Sequence, residues 1–598
     1  MTSADAAGPG LRLEELGLVG NGQFAAHVGT DGDVAWCCLP RFDAEPLFAS
    51  LLDPQSGGRF RVAPASGVRG RQTYLPNTNV LATEFEDDAG AFRVIDLAPR
   101  FELYQRAFHP TQLFRIVEPI RGTPRVVVEC SPVVGWTLAP APAVMGSNHV
   151  RFEGFPAALR LTTDVPLSYL RGQPFTLTSR RHVVLTWGAP IEEPLAPLAE
   201  RFLAETVRYW RRWVKDCDIP PAFQDQVIRS ALALKLHCFE DTGAIVAATT
   251  TSVPESPGSG RTWDYRYCWL RDAYYVLAAF RRLGRFEERE RFTQWILDVA
   301  GGARDLTLAP LYRVDGGSDL EEVEHRAWRG YEEHGPVRSG NGAAQHTQND
   351  VYGETVLALA PVFVDERFRD ERSPAALELL RGLARKGLAV AGEPDAGIWE
   401  YRKAWSPQTF SALMSWAGAD RAAMVLDRQA PGAGDELAAE AARLRDRIVA
   451  RCWRGDLRAF AGSFDSDDLD ASLLQMVPLR FQPRDDPRLV STVDVVARDL
   501  ARADWVDRYR QHDGLGVPEV AFVVCTFWLV QALAGLGRIE EVRRRLEATF
   551  GALSPLGLVS EDYDPARRRL WGNFPQAYSH VGLIHAAFDA SPRWPEIL

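Results

Sequence analysis

Two glutamates stand out in the sequence because of the residue types beside them. Glu400 follows Trp399 in PDAGIWEYR, and an aromatic wall partly desolvates a carboxyl group and raises its pKa, as a general acid near neutral pH requires. Glu561 lies with Asp562 and Asp564 in GLVSEDYDP, where polar neighbours would keep a carboxylate ionised as a general base for water. Two such groups on opposite sides of a sugar ring can hydrolyse a glycosidic bond. Taken singly, each glutamate is more typical of a helix cap or a surface ion pair.

The segment from Arg261 to Tyr275, RTWDYRYCWLRDAYY, combines tryptophans and tyrosines with three arginines and two aspartates. Apolar faces of a sugar stack on aromatic rings, and pairs of hydroxyls form hydrogen bonds with Arg and Asp side chains. The segment therefore favours a polyhydroxylated ligand. The alternative is an aromatic-rich helix start held by Asp–Arg ion pairs.

The overall charge and composition are those of an ordinary globular protein. The 598 residues include 46% hydrophobic and 25% charged side chains, and the formal net charge is −11. Because no basic run stands out, nucleic acid and an anionic membrane surface are disfavoured as main partners. No signal peptide and no apolar stretch of membrane-spanning length is visible. The eight cysteines form no CxxC pair, which favours reduced thiols and a cytoplasmic location.

The hydrophobic period changes about a third of the way along the chain. Short β-branched runs between turn signals predict an antiparallel β-sandwich over residues 1–197. Residues 198–221 are typical of an amphipathic linking helix that ends at Pro220 and Pro221. Residues 222–598 contain about twelve segments with apolar residues at helical spacing, so we predict six helical hairpins closed into an (α/α)6 barrel.

Short sequence signals predict where individual elements begin or turn. Thr30 to Asp33 and Asp87 to Gly90 are typical of hairpin turns. The acidic run from Asp465 to Asp470 lacks the central glycine of an EF-hand loop, so we interpret Asp470 as the start of a helix rather than a calcium ligand. The predicted helical segments are 222–240, 272–284, 286–300, 350–364, 374–390, 409–426, 435–452, 468–480, 489–502, 519–536, 538–549 and 576–589.

Several blocks of the helical half resemble family 15 of the glycoside hydrolases, the family of glucoamylases and some bacterial trehalases. They are RTWDYRYCWLRDAYY, QNDVYGE, PDAGIWEYR and SEDYDP with GNFPQAYSHVGL, and their order and spacing match the family. The first half resembles the β-sandwich of bacterial members through GNGQFAAHVGTDGDVAWCCLPRFD. The resemblance implies an (α/α)6 barrel that releases β-D-glucose, with inversion, from the non-reducing ends of α-linked gluco-di- and oligosaccharides. It implies neither a metal nor a cofactor.

The resemblance also implies residue roles, position by position. Glu400 falls on the general acid of the family and Glu561 on its general base. Arg271 and Asp272 fall on the pair that holds the sugar in the innermost subsite. The other positions that match sugar-binding residues are Trp269, Trp399, Arg402 and Arg338.

Four positions near the expected cleft depart from the family pattern: Thr262, His346, Asn349 and Ala412. Because both glutamates are retained, we interpret these changes as altered subsite preference. The resemblance leaves glucoamylase and trehalase activity open, and the oligomeric state is open as well. Two alternatives are a sugar phosphorylase on the same barrel, which would need a phosphate pocket in place of a base, and a non-catalytic glycan-binding protein.

Overall fold

The computed structural model describes residues 10–402 and 405–597. Residues 1–9, 403–404 and 598, which the predicted domains include, lie outside this range. Among the described residues, no helix combines the length and the apolar character that a membrane span requires. The division of the chain into a sandwich, a linking helix and a barrel at the predicted boundaries stays a prediction.

The first half of the chain folds into antiparallel sheets. Its strands are β1 (Leu16–Gly20), β2 (Ala25–Gly29), β3 (Val34–Cys38), β4 (Pro46–Phe48), β5 (Arg59–Pro64), β6 (Arg71–Tyr74), β7 (Leu81–Asp87), β8 (Gly90–Leu97), β9 (Phe101–Leu103), β10 (Arg106–Phe108), β11 (Gln112–Gly122), β12 (Arg125–Ser131), β13 (Ala143–Met145), β14 (His149–Phe152), β15 (Leu159–Thr163), β16 (Phe175–Thr176) and β17 (Arg181–Trp187). They form sheets in the orders β1-β2-β3-β4, β13-β14-β15-β17-β11-β8-β7-β6 and β16-β12-β5, with β10-β9 as a separate hairpin. The paired strands of the described residues here run antiparallel, which confirms the predicted β half.

Both predicted hairpin turns are present in the structure. Between β2 and β3, the amide of Gly32 donates to the carbonyl oxygen of Gly29 at 2.9 Å. Gly32 has a φ of +79°, and a Cβ atom there would lie 2.1 Å from the carbonyl oxygen of Val62, so this turn requires glycine. Between β7 and β8, Asp87 pairs directly with Gly90.

Helices dominate the rest of the chain. They are α1 (Leu195–Lys215), α2 (Gln224–His237), α3 (Leu270–Arg282), α4 (Glu287–Gly302), α5 (Asp350–Leu359), α6 (Pro374–Val390), α7 (Thr409–Gln429), α8 (Asp435–Cys452), α9 (Pro487–Asp499), α10 (Val523–Gly535), α11 (Ile539–Phe550), α12 (Ala577–Ala590) and α13 (Trp594–Ile597). The loops between them carry the short strands β18 (Cys268–Trp269), β19 (Leu311–Tyr312), β20 (Val323–Glu324), β21 (Arg338–Ser339), β22 (Trp453–Arg454), β23 (Ala459–Phe460), β24 (Ala501–Arg502), β25 (Trp505–Val506), β26 (Ala521–Phe522), β27 (Asp562–Asp564) and β28 (Arg569–Trp571).

The helices form two concentric rings. The inner ring consists of α3, α5, α7, the 3₁₀ segment Ala471–Met476, α10 and α12, each packed on the next, and α12 closes on α3. The outer ring consists of α2, α4, α6, α8, α9 and α11, which pack on the inner elements. The sequence explains these positions, because the inner α10 is largely apolar whereas the outer α11 buries one stripe. Six hairpins thus close into the predicted (α/α)6 barrel.

One predicted helix is wrong in type. The sequence predicts a helix over 468–480, but the structure has the 3₁₀ segment Ala471–Met476 there. Asp470 caps this segment as predicted, since its carboxylate accepts the amide of Ser472 at 2.8 Å. Pro478 has no amide hydrogen to donate, which prevents the segment from continuing as a regular α-helix.

A cluster of buried charges joins the β half to the barrel. The Nη2 atom of Arg100, which follows β8, donates to Glu240 at 2.6 Å. Lys235 of α2 lies 3.5 Å from Glu240 and 3.1 Å from Glu288 of α4. The indole N–H of Trp213 in α1 donates to Glu288 at 2.8 Å. The β half, the linking helix and two outer barrel helices therefore meet at one polar cluster, in which Arg100, Lys235, Glu240 and Glu288 are each no more than 3% exposed.

Candidate active site

Blocks singled out in the sequence converge on one pocket of the barrel. Arg271 and Asp272 lie in the first turn of α3, and Glu400 lies in the loop that leads to α7. All three line a cavity of about 60 Å³, together with Trp269 and Trp399. A concave site with aromatic rings and a few converging charged groups suits a small polyhydroxylated molecule.

The Glu400 carboxylate is held from several directions. Its Oε1 atom accepts the indole N–H of Trp269 at 2.6 Å and the amide N–H of Gln348 at 3.3 Å, and it lies 3.6 Å from Nη2 of Arg271. The backbone of Glu400 has a φ of +59°, a left-handed conformation that costs a non-glycine residue about 1–2 kcal/mol. These contacts fix the direction of the carboxyl group, as proton delivery to one atom of a substrate requires.

Arg271 and Asp272 form a buried ion pair at the inner end of the pocket. Nη2 of Arg271 lies 3.2 Å from Oδ2 of Asp272, and Nη1 of Arg271 donates to the carbonyl oxygen of Ile398 at 3.0 Å. Burial raises the pKa of Asp272 despite the opposing charge of Arg271. The two side chains are therefore oriented by the protein before any ligand binds, which lowers the entropic cost of holding sugar hydroxyls.

Glu561 is more deeply buried than its sequence context suggests. The residue is 1% exposed, and its Oε2 atom accepts the backbone amide of Asn573 at 3.2 Å. Burial raises the pKa of Glu561, and the negative charge of Glu255 raises it further. The side chain of Tyr265 forms a hydrogen bond with the Glu561 carboxylate, which partly offsets the rise in its pKa. Tyr265 itself lines the pocket and is thus the part of the wall next to Glu561.

The burial of the two glutamates is the reverse of that expected from the sequence. The sequence places Glu400 against an aromatic wall and Glu561 among polar groups, but the side chain of Glu400 is 19% exposed and Glu561 is the buried one. The reason is tertiary: Asp562 and Asp564 belong to β27, which pairs with β26 and β28 and is buried along its whole length.

The side chain of Arg402 is more exposed than that of Glu400, at 31% against 19%, whereas Trp399 packs against the buried rings of Phe522 and Trp528. The indole N–H of Trp399 donates to Oδ2 of Asp470 at 2.7 Å. Arg402 forms two hydrogen bonds with Glu322, at 3.1 and 2.7 Å, and its guanidinium lies 3.9 Å from the centre of the Trp263 ring. Both residues line the pocket.

Arg338 does not reach the pocket wall. Its Nη1 atom donates to the hydroxyl of Thr262 at 2.6 Å and to the carbonyl oxygen of Gly260 at 3.0 Å, and the guanidinium lies 4.6 Å from the ring centre of Trp263. The structure therefore places Arg338 behind Trp263, where it supports the wall. Thr262, one of the departures from the family pattern, is the partner that holds it there.

The other three departures lie outside the first layer of the pocket. The ring of His346 packs edge-on against Trp405 at 5.7 Å. The amide of Asn349 donates to the carboxylate of Asp395 at 2.8 Å, which also accepts the hydroxyl of Ser411 at 2.7 Å. Ala412 is fully buried in α7. None of the three lines the pocket in the described structure.

Several pocket residues escaped the sequence analysis. Arg508 forms an ion pair with Glu255, and Arg261 lies 2.6 Å from Asp513; all four line the pocket. Arg261 and Tyr265 belong to the aromatic block, so their types could have marked them as ligand contacts. Glu255 and Arg508 carry no such signal, because they lie in loops more than 250 residues apart and meet only in the folded barrel.

A second layer of buried carboxyl groups lies near Arg271. Asp350 and Glu354, one turn apart on α5, are not exposed at all, and none of their four carboxyl oxygens has a hydrogen-bond partner among the described residues. Burial raises the pKa of Asp350 to about 6 and that of Glu354 well above its usual value. The interior therefore favours the protonated form of Glu354, which avoids a second unpaired buried charge.

The resemblance implies that Glu561 is a reacting group, so replacing Gly572 with alanine should reduce kcat by roughly 10²-fold, the effect that a displacement of about 1 Å can have. Gly572 has a φ of +72°, and a Cβ atom there would lie 2.6 Å from Cβ and 2.7 Å from Oε2 of Glu561. The control is Gly537→Ala, which introduces the same type of backbone strain (φ +82°) with nothing within 4 Å. Steady-state kinetics and melting temperatures of both variants provide the comparison. Equal kcat values in the two variants would contradict a role of Glu561 in the chemistry.

Comparisons with known proteins agree with this architecture. The model of glycosyl hydrolases family 15 matches residues 221–588, and that of the trehalase-like N-terminal domain matches residues 6–164. A trehalase of Mycolicibacterium smegmatis is 32% identical over 97% of this chain and 92% of its own length. A trehalase of Thermoplasma volcanium is 30% identical over 96% of this chain and 93% of its own. The crystal structure of a bacterial glucoamylase complexed with acarbose covers 98% of this chain and 97% of its own, with a TM-score of 0.67 at 13% identity.

A helical barrel beside an antiparallel β half is the fold shared with the glucoamylase structure, and the match of the barrel to the family model defines a glycoside hydrolase. The chain belongs to family 15 of the glycosyl hydrolases. This confirms the resemblance drawn from the sequence blocks, the enzyme class and a carbohydrate substrate. Neither a phosphorylase nor a non-catalytic glycan-binding protein is favoured by these comparisons.

Proposed function

We propose that this protein is an inverting α,α-trehalase that hydrolyses trehalose to two molecules of glucose. The observation that carries the proposal is the similarity to trehalases along nearly the whole chain, through both the β half and the barrel. The glucoamylase structure supports the shared fold but not the choice of substrate, because its sequence identity is low. The eight cysteines are free thiols, which supports the cytoplasmic location that we include in the proposal.

In the proposed mechanism, Glu400 acts as the general acid and Glu561 as the general base. Glu400 donates its proton to the oxygen that links the two sugars, and Glu561 removes a proton from the water that attacks the anomeric carbon from the opposite face. The bond to the leaving sugar breaks as the bond to the water oxygen forms, so the configuration inverts. The contacts of Trp269 and Arg271 with Glu400 stabilise the carboxylate that remains after proton transfer.

In the same proposal, Arg271 and Asp272 hold hydroxyls of the ring that is attacked, and Trp269 and Trp399 provide apolar surface. Arg402 lines the pocket while bound to Glu322, and we assign it to contact with the second ring. Arg338 has its described hydrogen bonds committed to the protein, so we assign it to support of the wall rather than to direct contact with sugar.

The form of the pocket favours a disaccharide over a polymer. Its outer wall is formed by Arg402 over Trp263, and by Arg261 in an ion pair with Asp513. Charged side chains that are already hydrogen-bonded can bind the hydroxyls of one further sugar, whereas a long glucan chain needs an open exit.

The test is proton NMR of the purified enzyme with trehalose, maltose, isomaltose and maltoheptaose, recorded from the first minutes. We expect trehalose to be consumed fastest and to give equal initial amounts of β-glucose from the attacked ring and α-glucose from the leaving ring. Faster turnover of maltose or maltoheptaose would favour a glucoamylase instead. Only α-glucose in the first spectra would contradict inversion, and a requirement for phosphate or arsenate would revive the phosphorylase.

A further inference from the structure

A loop of the β half contacts a barrel loop, residues 313–349, whose Glu322 binds Arg402 of the pocket wall. The ring of Trp136, which follows β12, stacks on the ring of His325 with 4.3 Å between centroids and 9° between planes. The carbonyl oxygen of Trp136 accepts the indole N–H of Trp328 at 2.9 Å. Trp136 thus makes both a stacking contact and a hydrogen bond with the segment between β19 and α5.

The partner of Trp136 is firmly attached to a short β-ribbon. His325 directly follows β20, and its amide donates to the carbonyl oxygen of Val337 at 2.8 Å. Its ring nitrogen Nε2 lies 2.8 Å from the hydroxyl of Ser339 in the paired strand β21. A displacement of the His325 ring would therefore move the ribbon as a unit.

The residue directly before this ribbon, Glu322, binds Arg402 of the pocket wall. Glu322, directly before β20, accepts both hydrogen bonds of Arg402 and the backbone amide of Gly342 at 3.0 Å. Arg402 in turn lies over the ring of Trp263, and both line the pocket. An unbroken set of contacts therefore runs from Trp136 through the ribbon to the guanidinium of Arg402.

The β half also fixes Trp136 from behind. The ring of Trp36 lies 6.3 Å from the ring of Trp136, and the indole N–H of Trp36 donates to the carbonyl oxygen of Thr249 at 2.9 Å. The buried guanidinium of Arg266 lies 5.6 Å from the centre of the Trp136 ring. Because these neighbours belong to both halves of the chain, Trp136 is a rigid support rather than a free surface ring.

We propose that Trp136 is a positioning residue of the β half that sets the place of Arg402 through His325 and Glu322, and thereby the binding of the leaving sugar ring. This inference rests on the proposed trehalase function. The side chain of Arg402 is more exposed than that of Glu400, whereas Arg271 and Asp272 hold the inner end through contacts with α3 and Ile398. Loss of the support therefore weakens recognition of the second ring and leaves the first ring unaffected.

The experiment compares two substrates in the full-length enzyme: trehalose, which has a second ring, and α-D-glucosyl fluoride, which has none. For Trp136→Ala we expect KM for trehalose to rise about tenfold, in line with the loss of roughly one good polar contact. The kcat/KM for the fluoride should stay within twofold of the wild type. The control is Trp187→Ala, which removes another half-buried tryptophan of the β half that packs on Phe155.

Two further variants separate positioning from stability. Glu322→Gln should reproduce the substrate pattern of Trp136→Ala, and the double variant should be no worse than the poorer single one, because both changes act on the same contact. Trp136→Phe, which keeps a stacking ring, should have a KM for trehalose close to that of the wild type. An equal loss on both substrates, or no change on either, would overturn the inference. If the trehalase proposal is wrong, the wild-type enzyme will show it by hydrolysing another disaccharide faster than trehalose. The variants would then be compared on that disaccharide.

Discussion

Glu400→Gln should lower kcat for trehalose by about 10²–10⁴-fold, the usual contribution of a general acid, but should lower turnover of α-D-glucosyl fluoride less than tenfold. The reason is that a sugar alkoxide is a poor leaving group that needs a proton, whereas fluoride leaves without one. Glutamine keeps the shape of the side chain and can still accept the indole N–H of Trp269. The substrate dependence is therefore the signature of the acid role.

Glu561→Gln should instead lower kcat for both substrates by about 10²–10⁴-fold, because activation of water is needed whatever the leaving group. Both variants are measured by glucose release, with melting temperatures to show that they fold. The control is Glu393→Gln, an exposed glutamate shortly before Glu400 in the chain. If either catalytic variant keeps more than about a tenth of wild-type activity on trehalose, its assigned role is wrong. If Glu561→Gln retains turnover of α-D-glucosyl fluoride and Glu400→Gln does not, the two roles are exchanged.

Much of the architecture could be predicted because it depends on local patterns. The inner helix α10 is largely apolar and the outer helix α11 buries one stripe, so periodicity separates these two helices. The turn at Gly32 and the cap at Asp470 depend on residue type within a few positions. The helix predicted over 468–480 is absent for an equally local reason, since Pro478 has no amide hydrogen for a helical hydrogen bond.

The site could be predicted only as far as its sequence blocks extend. Block residues such as Arg271 and Glu400 lie in the pocket, because each block forms one turn or one helix start. The burial of Glu561 could not be predicted, since it arises from strands that pair across distant parts of the chain. The same holds for Arg338, whose side chain is turned away from the pocket by a hydrogen bond to Thr262. The surroundings of Glu561 and Arg338 are formed by residues distant in the chain, so the local sequence does not predict them.

Lys235→Met should reduce the free energy of unfolding by about 3–5 kcal/mol, the usual effect of removing one partner from a buried ion pair. The variant leaves Glu240 and Glu288 buried without the ammonium group that lies 3.5 and 3.1 Å away. Burial raises the pKa of Glu288, but Lys235 and Arg285 outweigh it and leave that pKa lowered to about 2. Urea unfolding followed by tryptophan fluorescence measures the effect, with Lys215→Met at the exposed end of α1 as the control.

The pH dependence of the same measurement identifies the ion pair as the cause. A glutamate with a lowered pKa stabilises the folded state above its unfolded pKa near 4.5, and this contribution is lost as the pH falls toward about 2. The wild type should therefore lose more stability than Lys235→Met between pH 7 and pH 3. The difference in free energy of unfolding between the two proteins should narrow over that range. The double variant Lys235→Met with Glu288→Gln should recover part of the loss, because it removes one of the two buried carboxylates that have lost the ammonium group. A loss no greater than that of Lys215→Met would show that the buried cluster does not hold the two halves together.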